Sequence, residues 1–254
     1  MANFNKPTFT TSTTDITPPL VITNLPAIFS GKGLLGQSEK SIRGKFDNYG
    51  FVDATFESMM RSVGWQGGQA WCAYYMKVVL MQLYSFDRDW IAKKLSGSAY
   101  GNLTAVEGYN KQGDKRYLGV RSGSPEVADV VSMLNASGEG GHTFMVTELL
   151  GGNENDGWKV RCVEGNTNNG GSREGDKVLE RTRTIKVGAR SGGQIVKGYI
   201  RRNFTESELA LLKYDDAKQT FVFANQVNPS SYNVPLNTRN QPASTYVKKP
   251  IFRN

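Results

Sequence analysis

Cysteine and histidine are scarce in this chain, which has two of the first and one of the second. Cys72 follows a glycine-bearing turn, GWQGGQ, in an apolar stretch that predicts a buried helix from Ala70. A helix N-terminus stabilises a thiolate through its dipole and free N–H groups. The same N–H groups could hold an oxyanion. Cys72 is therefore a candidate nucleophile, and the alternative is an inert core cysteine, because free cysteine is often buried.

His142 is the second candidate, because any mechanism that needs an imidazole must use the chain's one histidine. It follows SGEGG and opens the apolar segment HTFMVTELL, so glycines leave space beside its ring. That setting suits a general base at the edge of a cleft. A lone histidine is also commonly structural, and this alternative stays open. A metal site with several histidine ligands is excluded.

A carboxylate and a carboxamide, Glu164 and Asn166, end the segment WKVRCVEGN. Residues two apart in a strand project to the same side, and a hairpin with the strand that begins at His142 would bring both near the imidazole. Either oxygen could then accept the ring N–H and fix its tautomer. The alternative is a strand-end turn, which Gly and Asn favour. Cys162 projects to the same side, and we interpret it as a packing residue, with a disulfide to Cys72 as the lesser alternative.

Apolar periodicity divides the middle of the chain into helices followed by strands. It predicts one helix from Phe51 that Gly64 ends, the buried helix from Ala70, a third from Asp87 and a weaker one near Asn102. The period then becomes strand-like, and turn residues separate five predicted strands: ADVVSMLN, HTFMVTELLG, WKVRCVEGN, KVLERTRTIK and IVKGYIRR. This order indicates an α+β domain with an antiparallel sheet.

The two ends of the chain and its charge limit the remaining possibilities. Residues 1–30 are rich in Thr, Pro and Asn and predict an extended arm; residues 204–254 predict a short helix and an extended tail. No apolar leader opens the sequence and no apolar stretch is long enough to span a bilayer, so we expect neither. The formal charge of +8 fits a solvated surface or a polyanion partner. No nucleic-acid motif accompanies it, so we expect no nucleic-acid partner.

Three segments together resemble the CHAP (cysteine, histidine-dependent amidohydrolase/peptidase) domains, relatives of the NlpC-type and papain-like enzymes. They are GWQGGQAWCAYYMKVV, GGHTFMVTEL and VRCVEGNTNNGGSREGDKVLERTRT. The resemblance covers residues 31–203 and implies a papain-like catalytic domain with N-terminal helices packed on a five- to six-stranded antiparallel sheet. The family's Cys, His, Glu and Asn correspond in order to the following residues: Cys72, His142, Glu164 and Asn166.

This resemblance implies an activity. CHAP domains cut bacterial peptidoglycan, either at the muramoyl–alanine amide or within the stem and cross-bridge peptides, and many are phage or bacterial lysins. It therefore implies a cofactor-free cysteine hydrolase of a phage virion, or of the host cytoplasm before release, that acts on the cell wall. In a virion the two arms would contact neighbouring subunits. Two alternatives stay open: a virion structural or interaction protein that keeps the fold, and a thiol acyl-transfer enzyme that acts on proteins.

The chain departs from some relatives at two points. Some carry an Asp-rich calcium loop before the nucleophile, whereas SIRGKFDNYGFVDA has only Asp47 and Asp53, so we expect no metal. Some place a Gln directly before the Cys to complete the oxyanion hole, where this chain has Trp71. Gln66 or Gln69 could supply that donor instead.

Overall fold

A computed structural model describes residues 34–41, 46, 48–138, 140–168, 175–215 and 220–223. The arm predicted at residues 1–30, the tail from residue 224 and Asp47 lie outside this part of the chain. The described residues all belong to one compact unit.

Helices come first in the described chain, as their periodicity predicts. They are α1 (Ala54–Ser62), α2 (Cys72–Leu83), α3 (Arg88–Lys94) and α4 (Ala99–Lys111), with a 3-10 turn at Ser85–Asp87. A side chain caps α1, where the Asp53 carboxylate accepts the Phe56 N–H at 2.7 Å. Ser98 caps α4 in the same way. The buried helix begins at Cys72 rather than at the predicted Ala70, so the thiol lies in its first position.

Seven strands follow the helices: β1 (Tyr117–Val120), β2 (Val130–Asn135), β3 (Gly141–Asn153), β4 (Gly157–Thr167), β5 (Lys177–Ile185), β6 (Arg190–Ser191) and β7 (Gln194–Arg202). They form one antiparallel sheet in the order β1-β7-β2-β3-β4-β5, with β6 paired to β7. The five predicted strands are confirmed as β2, β3, β4, β5 and β7. The sheet has seven strands rather than five or six, because β1 and β6 are too short to show an alternating pattern.

Apolar side chains pack on both faces of the sheet. One cluster lies between the helices and the sheet and includes Met145, whereas the other includes Phe144 and Cys162. The alternation along a strand places His142 in phase with Phe144 and Glu164 in phase with Cys162. Strand β5 also contacts β6, so the sheet curls around this second cluster. By this alternation His142 and Glu164 project to the same side of the sheet.

A short helix and a hairpin follow the sheet. They are α5 (Glu206–Leu211), β8 (Leu212–Asp215) and β9 (Thr220–Phe223). A capping box between Thr205 and Glu208 begins α5, and Glu208 also accepts a hydrogen bond from Arg202 Nη2 at 2.8 Å. That contact fastens the helix to the end of β7. In the part of the chain that the structure describes, no helix has the length and apolar character needed to cross a membrane.

Candidate active site

The Cys72 thiol lies at the N-terminus of α2, behind the glycine turn. Gly68 adopts φ 85°, which glycine tolerates best, and its N–H donates to the Asn48 carbonyl at 2.7 Å. Trp71 precedes the helix without a side-chain capping bond. The first N–H groups of a helix have no intrahelical acceptor. Those of α2 are therefore oriented to stabilise an anion formed at or beside Cys72.

Trp71 anchors this helix terminus to the core. Its ring is fully buried, its Nε1 donates to Glu39 Oε1 at 2.6 Å, and it packs edge-on against Phe51 at 5.0 Å. The position before Cys72 is therefore a core position. Gln66 and Gln69 are the two residues proposed as oxyanion donors. The Gln69 side chain stabilises the glycine turn, because its Oε1 accepts the Gln66 N–H at 3.0 Å.

Gly165, the middle residue of the Glu-Gly-Asn triplet, lies where β4 packs against the N-terminal turn of α2. A Cβ atom built on it would come 2.6 Å from the Trp71 ring and 2.8 Å from the Tyr75 ring. Both rings are buried and cannot move aside freely. Only glycine fits between the strand and the N-terminal turn of the helix, so Gly165 sets the distance between the elements that carry Cys72 and Glu164.

We expect Gly165→Ala to lower the free energy of unfolding by about 1–3 kcal/mol, as overpacking of a filled core does. Gly108→Ala is the matched control, because Gly108 lies inside α4 with nothing within 4 Å of an added Cβ. That control should be neutral or stabilise by up to about 1 kcal/mol. Urea denaturation of both variants measures the difference; equal stabilities would contradict the close approach.

His142 and Glu164 meet across the predicted hairpin of β3 and β4. The pairing is confirmed, with Met145 opposite Val163 in the register. His142 Nε2 lies 3.1 Å from Glu164 Oε2, and both side chains are buried. The other ring nitrogen, Nδ1, is buried and makes no close hydrogen bond to any described residue. The contact with Glu164 fixes the orientation of the ring and leaves Nδ1 for a different partner.

Cys72 also interacts with the imidazole electrostatically. Burial by itself lowers the pKa of His142, but the interactions of the ring with Cys72 and with Glu164 outweigh it. Together they raise the pKa of His142 to about 9. An imidazolium is therefore the favoured form of this ring at neutral pH, with the thiol and the carboxylate as its neighbours.

Arg183 donates hydrogen bonds to the Glu164 carboxylate, which also contacts His142. Burial raises the pKa of Glu164, but hydrogen bonds from Arg183 and His142 outweigh it and hold the pKa well below its ordinary value. The Arg183 Nε donates to Oε1, and its Nη2 donates to Oε2 at 2.8 Å. The sequence showed Arg183 only as one of several basic residues. Its register opposite Val160, in phase with Glu164, was the signal that could have identified it.

Cys162 completes the surroundings of the carboxylate. Its Sγ lies 3.3 Å from Glu164 Oε1, and burial, followed by the Glu164 charge, raises the pKa of this thiol well above its ordinary value. Both cysteines are free. The disulfide with Cys72 that the sequence left open is therefore wrong, and Cys162 is a neutral thiol that donates to Glu164.

Asn166 does not align with Glu164 as strand alternation predicts. The β4–β5 register shifts between Glu164 and Thr167, and Asn166 adopts φ 58° in this bulge. Its carbonyl accepts the Gly175 N–H at 3.2 Å. The structure therefore brings His142 and Glu164 into contact, with Cys72 interacting electrostatically with the imidazole, and the bulge turns Asn166 out of the strand's alternation.

Comparison with known proteins finds no relative, so the function of the chain has to be inferred from the geometry of its residues. No family model, curated protein or solved structure matches the chain. Within the described ranges, no three His, Cys, Asp or Glu side chains cluster closely enough to hold a metal ion. The group is a thiol, an imidazole and a carboxylate in sequence, an order that can serve as nucleophile, base and orienting anion in acyl transfer.

Proposed function

We propose that the chain is a cysteine-dependent hydrolase that cleaves amide bonds in the peptides of bacterial peptidoglycan. The observation that carries the proposal is the position of His142, with Glu164 on Nε2 and the Cys72 thiol as its other neighbour. The CHAP resemblance around these residues supplies the substrate class. The order of helices before an antiparallel sheet supports a papain-like fold of that family, and the phage-virion setting rests on the same resemblance.

Each group has one role in the proposed reaction. In the reactive form His142 already carries the proton of Cys72 as an imidazolium, and the Cys72 thiolate attacks the amide carbonyl while N–H groups at the start of α2 hold the oxyanion. The C–N bond breaks as His142 gives its proton to the leaving amine, which leaves a thioester on Cys72. Water, deprotonated by His142, then releases the acid and restores the thiol. Glu164 stabilises the imidazolium that forms in both halves of the reaction.

One observation favours a second candidate, a structural protein that keeps this fold. Cys72 is only 5% exposed and His142 only 1%. A substrate carbonyl must reach the sulfur, so an enzyme of this kind has to open around Cys72 during turnover. A structural protein needs no such opening.

Digestion of purified peptidoglycan separates the two candidates. The wild-type protein and Cys72→Ala are incubated with cell walls, and the released muropeptides are identified by mass spectrometry. We expect the wild type alone to release fragments. New N-terminal alanine at the stem would indicate an amidase, and new termini within a peptide would indicate an endopeptidase. Intact walls with both proteins would favour the structural candidate and contradict the hydrolase.

A further inference from the structure

We propose that Arg183 is a positioning residue for this site: its guanidinium grips both carboxylate oxygens of Glu164, so that Glu164 faces His142 as an oriented anion. The inference rests on the proposed function, because it concerns the same site. Arg183, on β5, donates one hydrogen bond to each carboxylate oxygen of Glu164. His142, on β3, contacts Oε2 of the same carboxylate. A two-point contact fixes the plane of the carboxylate, which a single bond does not.

Arg183 is itself held in place by the packing around its guanidinium. Its guanidinium carbon lies 5.2 Å from the centre of the Phe144 ring, two residues along β3 from His142. A Cβ atom on Gly192, in the turn between β6 and β7, would come 2.8 Å from its Nη1. The side chain is 9% exposed. The packing of three strands and a turn therefore keeps the fork on Glu164 and away from solvent.

Arg183 is the permanent cation of this group. Among the described residues, three face Glu164: His142 from β3, Arg183 from β5 and Cys162 from its own strand. Cys72 interacts with the imidazole rather than with Glu164. The imidazole gains and loses charge during the proposed reaction, whereas a guanidinium stays charged. Without Arg183, Glu164 would be a buried anion with no cation whenever the imidazole is neutral. Burial would then favour protonation of Glu164, and the imidazolium would lose its counter-ion.

The test uses three variants of the full chain. Arg183→Met removes the cation, and Arg183→Lys keeps a charge without the two-point fork. Arg161→Met is the matched control, because Arg161 also bridges neighbouring strands, with bonds of 2.7 Å to Glu148 and 3.1 Å to Glu180, but lies on an exposed surface. The titration of the one histidine is followed by NMR, and kcat and KM are measured on a soluble muropeptide.

We expect Arg183→Met to lower kcat roughly 100-fold with little change in KM, as loss of orientation does. The pKa of His142 should fall below the wild-type value in the same variant. Arg183→Lys should keep the wild-type titration more closely, with kcat between those of Arg183→Met and the wild type. Arg161→Met should match the wild type in both measurements.

A folded Arg183→Met protein with the wild-type kcat and histidine titration would overturn the inference. If this variant does not fold, Arg183→Lys decides: wild-type kcat without the fork overturns the proposal, and a reduced kcat at wild-type KM supports it. The titration also separates the two proposals. A wild-type protein that leaves peptidoglycan intact contradicts the proposed function. The histidine titration of the Arg183 variants would still test whether Arg183 orients Glu164.

Discussion

Under the proposed mechanism, Cys72→Ala should reduce peptidoglycan hydrolysis on the order of 10⁵-fold, because the sulfur would form the covalent bond to the acyl group. His142→Ala should cost nearly as much, since the thiol then has no base. The two residues act as one unit, so the double variant should be no slower than either single variant. Rates of muropeptide release by the three proteins, measured at equal concentrations, test this expectation.

The control for these variants is a measurement of their thermal stability, which shows whether they remain folded. The Cys72 side chain is small and lies at the start of α2, so thermal melts of the Cys72→Ala protein should stay close to those of the wild type. Multiplying losses in the double variant would mean that Cys72 and His142 act independently. Retained hydrolysis in folded Cys72→Ala protein would assign the activity to a different nucleophile.

Glu164→Ala has the largest expected effect on stability. Glu164 is fully buried between Arg183 and His142, and its removal leaves a buried guanidinium without its carboxylate. Breaking such a pair on one side lowers the free energy of unfolding by about 3–5 kcal/mol. Hydrolysis should also fall on the order of 10⁴-fold, since the imidazolium loses the anion that stabilises it.

Glu148→Ala is the matched control for this loss, because Glu148 also accepts from an arginine across neighbouring strands. That pair with Arg161 is exposed, and its removal should change the free energy of unfolding by less than about 1 kcal/mol. Chemical denaturation of both variants gives the comparison. Equal losses would contradict a buried ion pair at Glu164.

The pH dependence of the Glu164→Ala effect follows from the lowered pKa of Glu164. The folded state holds this pKa below the unfolded value of 4.5. A lowered pKa stabilises the fold fully above the unfolded value, and this contribution is lost as the pH falls toward the folded value. The difference in stability between the wild type and Glu164→Ala should therefore shrink below pH 4.5. A difference that grows on acidification would contradict the ion pair.

Much of the fold follows from residue periodicity. The change from helical to alternating apolar spacing predicts the helices and the five longer strands, and the hairpin of β3 and β4 follows from their order in the chain. The contact between His142 and Glu164 depends on that hairpin alone. It could be predicted because the two residues lie on adjoining strands and project to the same side of the sheet.

The remaining contacts of the site depend on features that periodicity does not contain. Arg183 reaches Glu164 only through the register of β5 on β4, which places it opposite Val160. The bulge that turns Asn166 out of alternation depends on the backbone conformation of one residue. Residue 165 must be glycine because of the Trp71 ring, which lies far from it in the sequence but packs directly against it. Tertiary packing decides all three.

The central claim, that one imidazole is shared between Cys72 and Glu164, is tested most directly by an NMR titration of His142. The chain has no other histidine, so the signal needs no assignment. We expect a pKa of about 9 in the wild-type protein, and a lower pKa in Cys72→Ala because the thiol contributes to the rise. A wild-type pKa near the ordinary 6.5, unchanged when Cys72 is replaced, would contradict the site.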